Sequence, residues 1–427
     1  MSRAVPRVGV LLRARRLVHP LVAIAVLPLL LAATAAARVR TSLRRLRGAR
    51  ARLVWGPVPI INIKYWSEAM RLRGYESHTC VNQVMAINER ADFDRHYDEF
   101  LPEGIAFDPL RAYVVFLWVL ASADVYLCYF DGGFLANTPL RGLELPLLRA
   151  AGKRIIVSPY GSDIAVPGHL GLLEQALLRD YPGIAANGKR VRRRVLSFAR
   201  WASLIVRNYQ FGFLPRWDVT WPTELAIDAE LWRPAPPGDD VSDRDGRSGE
   251  VIVVHASNHR HIKGTDALIT TVDALREEGL RVRLELIEKR PNAEVRAAVE
   301  GGDVVADQFL IGYALFAIEG MAAGKPVLSA LSGMAPDLRE NLLQRGLPIV
   351  DADLSTLKAR LRELIENPQR RKELGEAGRR FVLEHHSYEA VGAVFAAIID
   401  HTWHGAPLPS ELIDTGGSLT ERATAEA

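Results

Sequence analysis

Short apolar runs that end in glycine or aspartate loops, each followed by a stretch with helical period, recur along most of this chain and constrain its fold more than any other feature. Residues 124–130 (DVYLCYF) run into Asp131, Gly132 and Gly133, and residues 154–159 (RIIVSP) run into Tyr160, Gly161, Ser162 and Asp163. Runs without alternation read as strands covered on both faces, which is the signature of parallel sheets flanked by helices. Further runs at 53–55, 203–208 and 219–222 complete a first series. Residues 234–249 (PAPPGDDVSDRDGRSG) then interrupt it with a polar, proline- and glycine-rich linker. A second series begins at Val251 (VIVVHAS) and continues through 281–287, 304–306, 326–330 and 348–351. The expected fold class is α/β, with two doubly wound Rossmann-like domains over 51–233 and 250–386. A helix at 387–403 and a small, polar, disordered tail at 404–427 follow. At 427 residues the chain is long enough for two full cores. Ligands in such sheets sit beyond the C-terminal strand ends, so the site is expected in the cleft between domains.

The N-terminus is a different kind of segment. Residues 17–37 form an apolar run, with His19, Pro20 and Pro28 inside it, five arginines before it and seven from Arg38 to Arg52 after it. Its length fits one membrane crossing, so residues 1–50 read as a hydrophobic, basic-flanked membrane-anchor segment. An embedded hairpin, a cleavable signal ending in Ala32 to Ala37 and a segment that does not insert are the alternatives. The arginine excess after the run leans toward a cytoplasmic C-terminal side. Net charge is only +4, and its clusters lie at the N-terminus and at 189–194 (KRVRRR). With no aromatic-basic module beside them, they favour a membrane surface over nucleic acid. Cys80 and Cys128 are the only cysteines, which excludes a disulfide framework and a cysteine-based zinc site.

Residues 303–327 (DVVADQFLIGYALFAIEGMAAGKPV) carry the strongest chemical signal. A strand at 303–307 leads through Gly312 into a helix at 315–323, stopped by Gly324 and Pro326. That order aims free N–H groups and a positive dipole end at one point, which suits a diphosphate. Residues 311–327 resemble, without a gap, the donor-site signature of family 4 glycosyltransferases, E-G-F-G-L-x-x-L-E-A-M-A-x-G-x-P-V. Ile311 replaces the first glutamate and Ala314 the second loop glycine. The resemblance implies that Glu319 contacts the nucleotide ribose and that Gly312, Tyr313, Ala314 and Leu315 form the donor loop. The sugar contact is left unfilled at Ile311, with Asp307 and Gln308 the nearest polar substitutes. In 255–265 (HASNHRHIKGT), Lys263 before Gly264 is similar to the family's phosphate clamp, and Arg260 stands three residues earlier. The family's usual arginine position falls on Asn258. Lys263, Arg260 and Glu319 are therefore the expected catalytic set. His255, His259 and His261 do not have the setting of a zinc site. Asp351 and Asp353 form a D-x-D, read as a helix cap.

On the first-domain side, Gly56, Pro57 and Asn62 follow the first strand, and Asp131 follows another. Residues 160–163 (YGSD) resemble the family's H-G-S-D loop, so Gly161, Ser162 and Asp163 join the acceptor side of the cleft. Asp163 is read equally as a cap or as an acceptor contact. The resemblance spans roughly residues 52–403 and implies the GT-B architecture and a retaining, metal-independent hexosyltransferase that needs no cofactor. Its donor would be a nucleotide-diphosphate sugar, and its acceptor a glycan or lipid-linked molecule at the cytoplasmic membrane face, in bacterial envelope or cell-surface polysaccharide synthesis. Two rivals remain: a nucleotide-sugar epimerase on the same fold, and a degenerate binding or scaffold protein marked by Ile311.

Overall fold

The structure is a computed structural model and describes residues 5–85, 88–101, 108–171, 174–208, 212–235 and 243–412. Seven strands form the first sheet: β1 (Leu53–Trp55), β2 (Ser77–Val81), β3 (Arg95–His96), β4 (Val125–Cys128), β5 (Arg154–Val157), β6 (Leu204–Arg207) and β7 (Val219–Thr220). They pair in parallel in the order β3-β2-β1-β4-β5-β6-β7, with Trp55 opposite Leu127 at the centre. The second sheet holds β8 (Val251–Ala256), β9 (Val282–Ile287), β10 (Val304–Ala306), β11 (Val327–Ser329) and β12 (Val350–Asp351), parallel in the order β12-β11-β10-β8-β9. Every residue of β1, β4, β10 and β11 is buried, as strands covered on both faces must be.

Both strand orders reverse direction once, between β1 and β4 in the first sheet and between β8 and β10 in the second. A crevice opens where the connections on either side of such a point diverge, so the loops after those four strands are the ones positioned to hold a ligand.

The helix Tyr388–His404 packs on the first domain although it follows the second in sequence. Phe395 is wedged among Trp55, Trp66 and Trp221, with ring centroids 4.8 to 5.4 Å apart, and Trp403 Nε1 donates to Ala49 O at 2.9 Å. One apolar cluster thus runs from β1 through this helix to Tyr313 and Phe316 of the second domain. The chain beyond it differs from the expected disordered tail: His404 still belongs to the helix, and Leu412 is buried in the same cluster. Residues 413–427 lie outside the described residues. Of the linker, 236–242 also lie outside them, while 243–249 fold onto the second domain, where Arg281 N donates to Gly246 O at 2.6 Å.

The N-terminal segment is one helix, Val5–Leu46, and its part from Val18 is long and apolar enough to cross a membrane. Its described side chains also make a seam with the first domain. Ala23, Leu30, Thr34, Ala37 and Thr41 are buried, spaced by seven, four, three and four residues, along the helix Asp108–Ser122. Arg44 then pairs with Asp124 at 2.8 Å, and Arg52 adds two further bonds to the same carboxylate. Burial alone would raise the Asp124 pKa, but the Arg52 guanidinium and backbone N–H, with the charge of Lys153, outweigh it and lower the pKa. The opposite helix face leaves Leu21, Ile24 and Val39 more than half exposed.

Candidate active site

β10 delivers Asp307, fully buried, to the crevice beside β8. Its Oδ1 accepts from Lys263 Nζ at 2.9 Å and its Oδ2 from the backbone N–H of Ala314 at 2.7 Å. One carboxylate therefore pins the ammonium of the loop after β8 and the start of the helix Leu315–Ala322. Lys263 ends a single helical turn closed by Gly264 at φ 72°, a left-handed conformation that suits glycine and turns the chain into the helix Thr265–Glu277. Its ammonium lies 5.5 Å over the Phe316 ring, which leaves it two donors facing the cleft.

Glu319 stands one turn into that helix and is only 5% exposed. Burial raises its pKa to about 8; a hydrogen bond from Asn292 and the charge of Lys263 oppose the rise, and the charge of Asp307 adds to it. Lys263, Leu315 and Glu319 line a cavity of about 660 Å³ between the domains, faced by Lys64 and Tyr65 of the helix Asn62–Leu72. The first N–H groups of the helix Leu315–Ala322 open toward it without intrahelical acceptors. Lysine, helix start and buried carboxyl together match what a nucleoside diphosphate needs: cationic donors for the phosphates and an acceptor for hydroxyls.

Other expected donor residues are placed differently. Arg260 is bound by both oxygens of Glu288 at 2.8 Å and by Asp266 at 3.1 Å, and it does not line the cavity. Tyr313 is fully buried, its hydroxyl turned to His386. Gln308 donates its amide to Ile311 O within the loop, and Gly312 O accepts from Ser329. Asp307, Gln308, Gly312, Tyr313 and Ala314 thus build the loop from beneath, and Leu315 alone of the expected loop residues lines the cavity. His255 is structural: Nδ1 meets Ala306 O and Nε2 meets Thr265 Oγ1, and burial lowers its pKa to about 4. Asp353 caps the turn at Ser355 and Thr356, and Asp351 pairs with Arg339.

The sequence reading missed the loop after β9. Lys289, Arg290 and Asn292 line the donor cavity from there, as does Tyr388 from the returning helix. The rule that ligands sit at C-terminal strand ends points to 288–292 directly, but no motif marks it.

Across the cleft, Pro57, Asp131 and Ser162 line a second cavity of about 700 Å³. Gly56, Gly161 and Asp163 stand behind it. Tyr126 donates to Gly56 O, and Asp163, fully buried, accepts from the N–H groups of Phe130, Tyr160 and Gly161 at 2.9 to 3.0 Å. Asp163 is therefore the cap of two strand-end loops. Burial outweighs those bonds and raises its pKa to about 7. Asn62 begins the helix Asn62–Leu72 and lines neither cavity. Glu144, which sequence reading also missed, accepts from Phe134 N and Leu135 N at 2.7 Å and fixes the loop after Asp131. Tyr181, which lines the second cavity, has its OH 2.6 Å from His259 Nε2 of the second domain. Among the described residues, no three His, Cys, Asp or Glu side chains converge as a metal site would.

Comparisons with known proteins bear on the fold. A family model described as glycosyl transferase-like matches residues 316–397. The MMP alpha-(1->4)-mannosyltransferase of Mycolicibacterium hassiacum is 25% identical over 250 residues, 52% of this chain and 58% of that protein. The match thus spans less than two thirds of that relative's length. Among solved structures, a sucrose-phosphate synthase from Thermosynechococcus elongatus superposes with TM-score 0.52 at 13% identity, over 84% of this chain and all of that one. Anabaena Alr3699/HepE in complex with UDP-glucose gives 0.51 at 14% identity, again over 84% of this chain and all of its own. The fold is the GT-B fold of glycosyltransferases.

Proposed function

We propose, from the GT-B fold and the family 4-like second domain, that this chain is a retaining glycosyltransferase. It would move a hexosyl unit from a nucleoside-diphosphate sugar to a glycan or lipid-linked acceptor in envelope or cell-surface polysaccharide synthesis. The observation that carries the reading is the convergence of Lys263 and Glu319 in one cleft between the two sheets. Lys263 Nζ and the N–H groups of Leu315 and Phe316 would take the charge that grows on the leaving diphosphate. Glu319 would accept from the ribose hydroxyls, for which an ionised carboxylate is the stronger partner. Support comes from a relative named as a mannosyltransferase and from a neighbour solved with UDP-glucose.

Retention would follow a front-face displacement in which a leaving phosphate oxygen takes the acceptor proton. Such a step asks the protein for electrostatic stabilisation rather than a nucleophile, and with the charge on Lys263 and the helix start no step requires a metal. The exposed apolar face of the Val5–Leu46 helix supports a place at the membrane, and the arginine excess after the apolar run would put the sheets on its cytoplasmic side.

The test is a thermal-shift screen of UDP-, GDP- and ADP-sugars, followed by turnover with and without lipid extract and assignment of the product anomer by NMR. Acceptor-dependent release of nucleoside diphosphate with a retained anomer is the expected result. Isomerised sugar without acceptor would make the chain an epimerase. Binding without any turnover would make Ile311 the mark of a degenerate site.

A further inference from the structure

The run of basic residues at 189–194 is not a uniformly solvated helix face. On the helix Gly183–Trp201, Lys189 and Arg192 point away from the cleft side, Arg192 lying over the Phe213 ring at 5.0 Å. Arg190 and Arg194, one turn apart, instead line the first-domain cavity of about 700 Å³. A further cavity of about 850 Å³ shares Asp131, Arg190 and Arg194 with it and adds Arg193 and Arg141. The two share these walls and form one trough on the first domain.

Four guanidiniums line this trough against a single carboxylate. Asp131 is already taken: Arg194 pairs with it at 2.9 Å and Tyr160 OH donates to it at 2.9 Å. Arg194 also bonds Asp163 O at 3.2 Å, so it belongs to the wall of the site. Arg141, Arg190 and Arg193 make no ion pair or side-chain hydrogen bond among the described residues. Like charges gathered within one helical turn repel, at a cost of a few tenths of a kcal/mol per pair. By contrast, Arg260 has two carboxylates, and Arg90 has Asp98 and Glu99. Three unanswered guanidiniums next to a reaction cleft supply more charge than a neutral sugar hydroxyl needs, and their planar forks suit phosphate oxygens.

We propose that this trough binds a phosphate group carried by the acceptor, with Arg190 and Arg193 as its main ligands and Arg141 closing the far side. The inference rests on the glycosyltransferase reading only for the word acceptor; the anion site itself stands on the trough. The charged end of the acceptor would be held in this trough while its hydroxyl extends toward Lys263.

The test uses the full chain and two probes, glycerol 1-phosphate in solution and phosphatidylglycerol vesicles compared with phosphatidylcholine vesicles. Arg190 and Arg193 are exposed, so R190Q/R193Q is expected to fold with an unchanged melting temperature. Calorimetry on wild type, R190Q/R193Q and Lys263→Met then locates the anion. At least a tenfold loss of glycerol phosphate affinity in R190Q/R193Q, with binding retained in Lys263→Met, supports a soluble phosphorylated acceptor. The same pattern read only in vesicle co-sedimentation supports a lipid headgroup. Binding that survives in R190Q/R193Q and disappears in Lys263→Met, at a temperature where the melting curve shows that variant folded, places the phosphate in the donor cleft and overturns the proposal. So does the absence of binding to either probe in wild type. A chain that binds phosphate in the trough but turns over no nucleotide sugar would remove the function reading and leave this site standing.

Discussion

On the second-domain face of the cleft, Lys263, Asp307 and the start of the helix Leu315–Ala322 answer one another within a buried cluster. On the first-domain face, Arg190 and Arg193 stand exposed with no carboxylate opposite. The first arrangement fixes its charges before any ligand arrives, as a site for a group of constant geometry requires. The second holds its charges apart and unspent, as suits a ligand whose position varies. Both faces rest on buried carboxylates that bind backbone N–H groups, Asp307 on one side and Asp163 and Glu144 on the other. The two scaffolds are built on the same principle, and the difference lies in the side chains they present.

Breaking the preformed pair should give the largest effect. Lys263→Met leaves the Asp307 carboxylate buried without its cation, which is expected to cost about 3–5 kcal/mol of stability. The loss of a cationic donor should lower turnover on a nucleotide sugar by about 10²–10³-fold. Melting curves and steady-state kinetics check the two together, and turnover within threefold of wild type would show that the donor face is not charged in advance.

The first-domain scaffold is broken at Gly133. A Cβ there would sit 1.9 Å from Glu144 Oε1, so Gly133→Ala must displace the carboxylate from Phe134 N–H and Leu135 N–H. Two buried donors left short of a partner should cost about 2–3 kcal/mol, read by urea denaturation. Nucleotide affinity, set across the cleft, is expected to stay within twofold; a large loss would mean that the two faces are one cooperative unit.

The same contrast explains what was legible in the sequence. The loop-and-helix signal at 303–327 is contiguous, so the strand, turn and helix could be placed and Glu319 found. Lys263 was legible for the same reason, since Gly264 follows it and ends its turn. What a side chain does there depends on partners far along the chain. Arg260 is diverted by Glu288, and Tyr313 is turned inward to His386. Asp307 was read as a substitute sugar contact, yet its two oxygens are already engaged by residues of two different loops. Asp131 and Ser162 were found from strand-end loops, whereas Arg190, Arg193 and Arg194 were legible only as a basic cluster favouring a membrane surface. A helix face announces its direction only once its neighbours are known, and here the neighbour is the loop after Asp131.

The finest test of the donor face is Glu319→Gln, which keeps the shape and removes the charge. Burial holds the Glu319 pKa at about 8 in the fold, against 4.5 when solvated. Between those values the folded chain keeps a proton that the unfolded chain releases, so this group's contribution to stability falls as pH rises through that window and is fully lost above about pH 8. Glutamine is free of that dependence. The variant should match wild type at pH 4.5 and exceed it by roughly 1–3 kcal/mol at pH 8.5, below the linkage ceiling because buried groups relax on ionising. Nucleotide binding should move the other way. Ribose hydroxyls bond best to the ionised form, so wild-type affinity is expected to rise between pH 6.5 and 8.5, while the variant binds about 10–100-fold more weakly at pH 8.5 and without that slope. Melting curves and calorimetry at two pH values read both signs. A variant that is stabilised but binds every nucleoside diphosphate as wild type does would leave Glu319 a buried acid with no ligand, and the preformed face would reduce to Lys263 and its clamp.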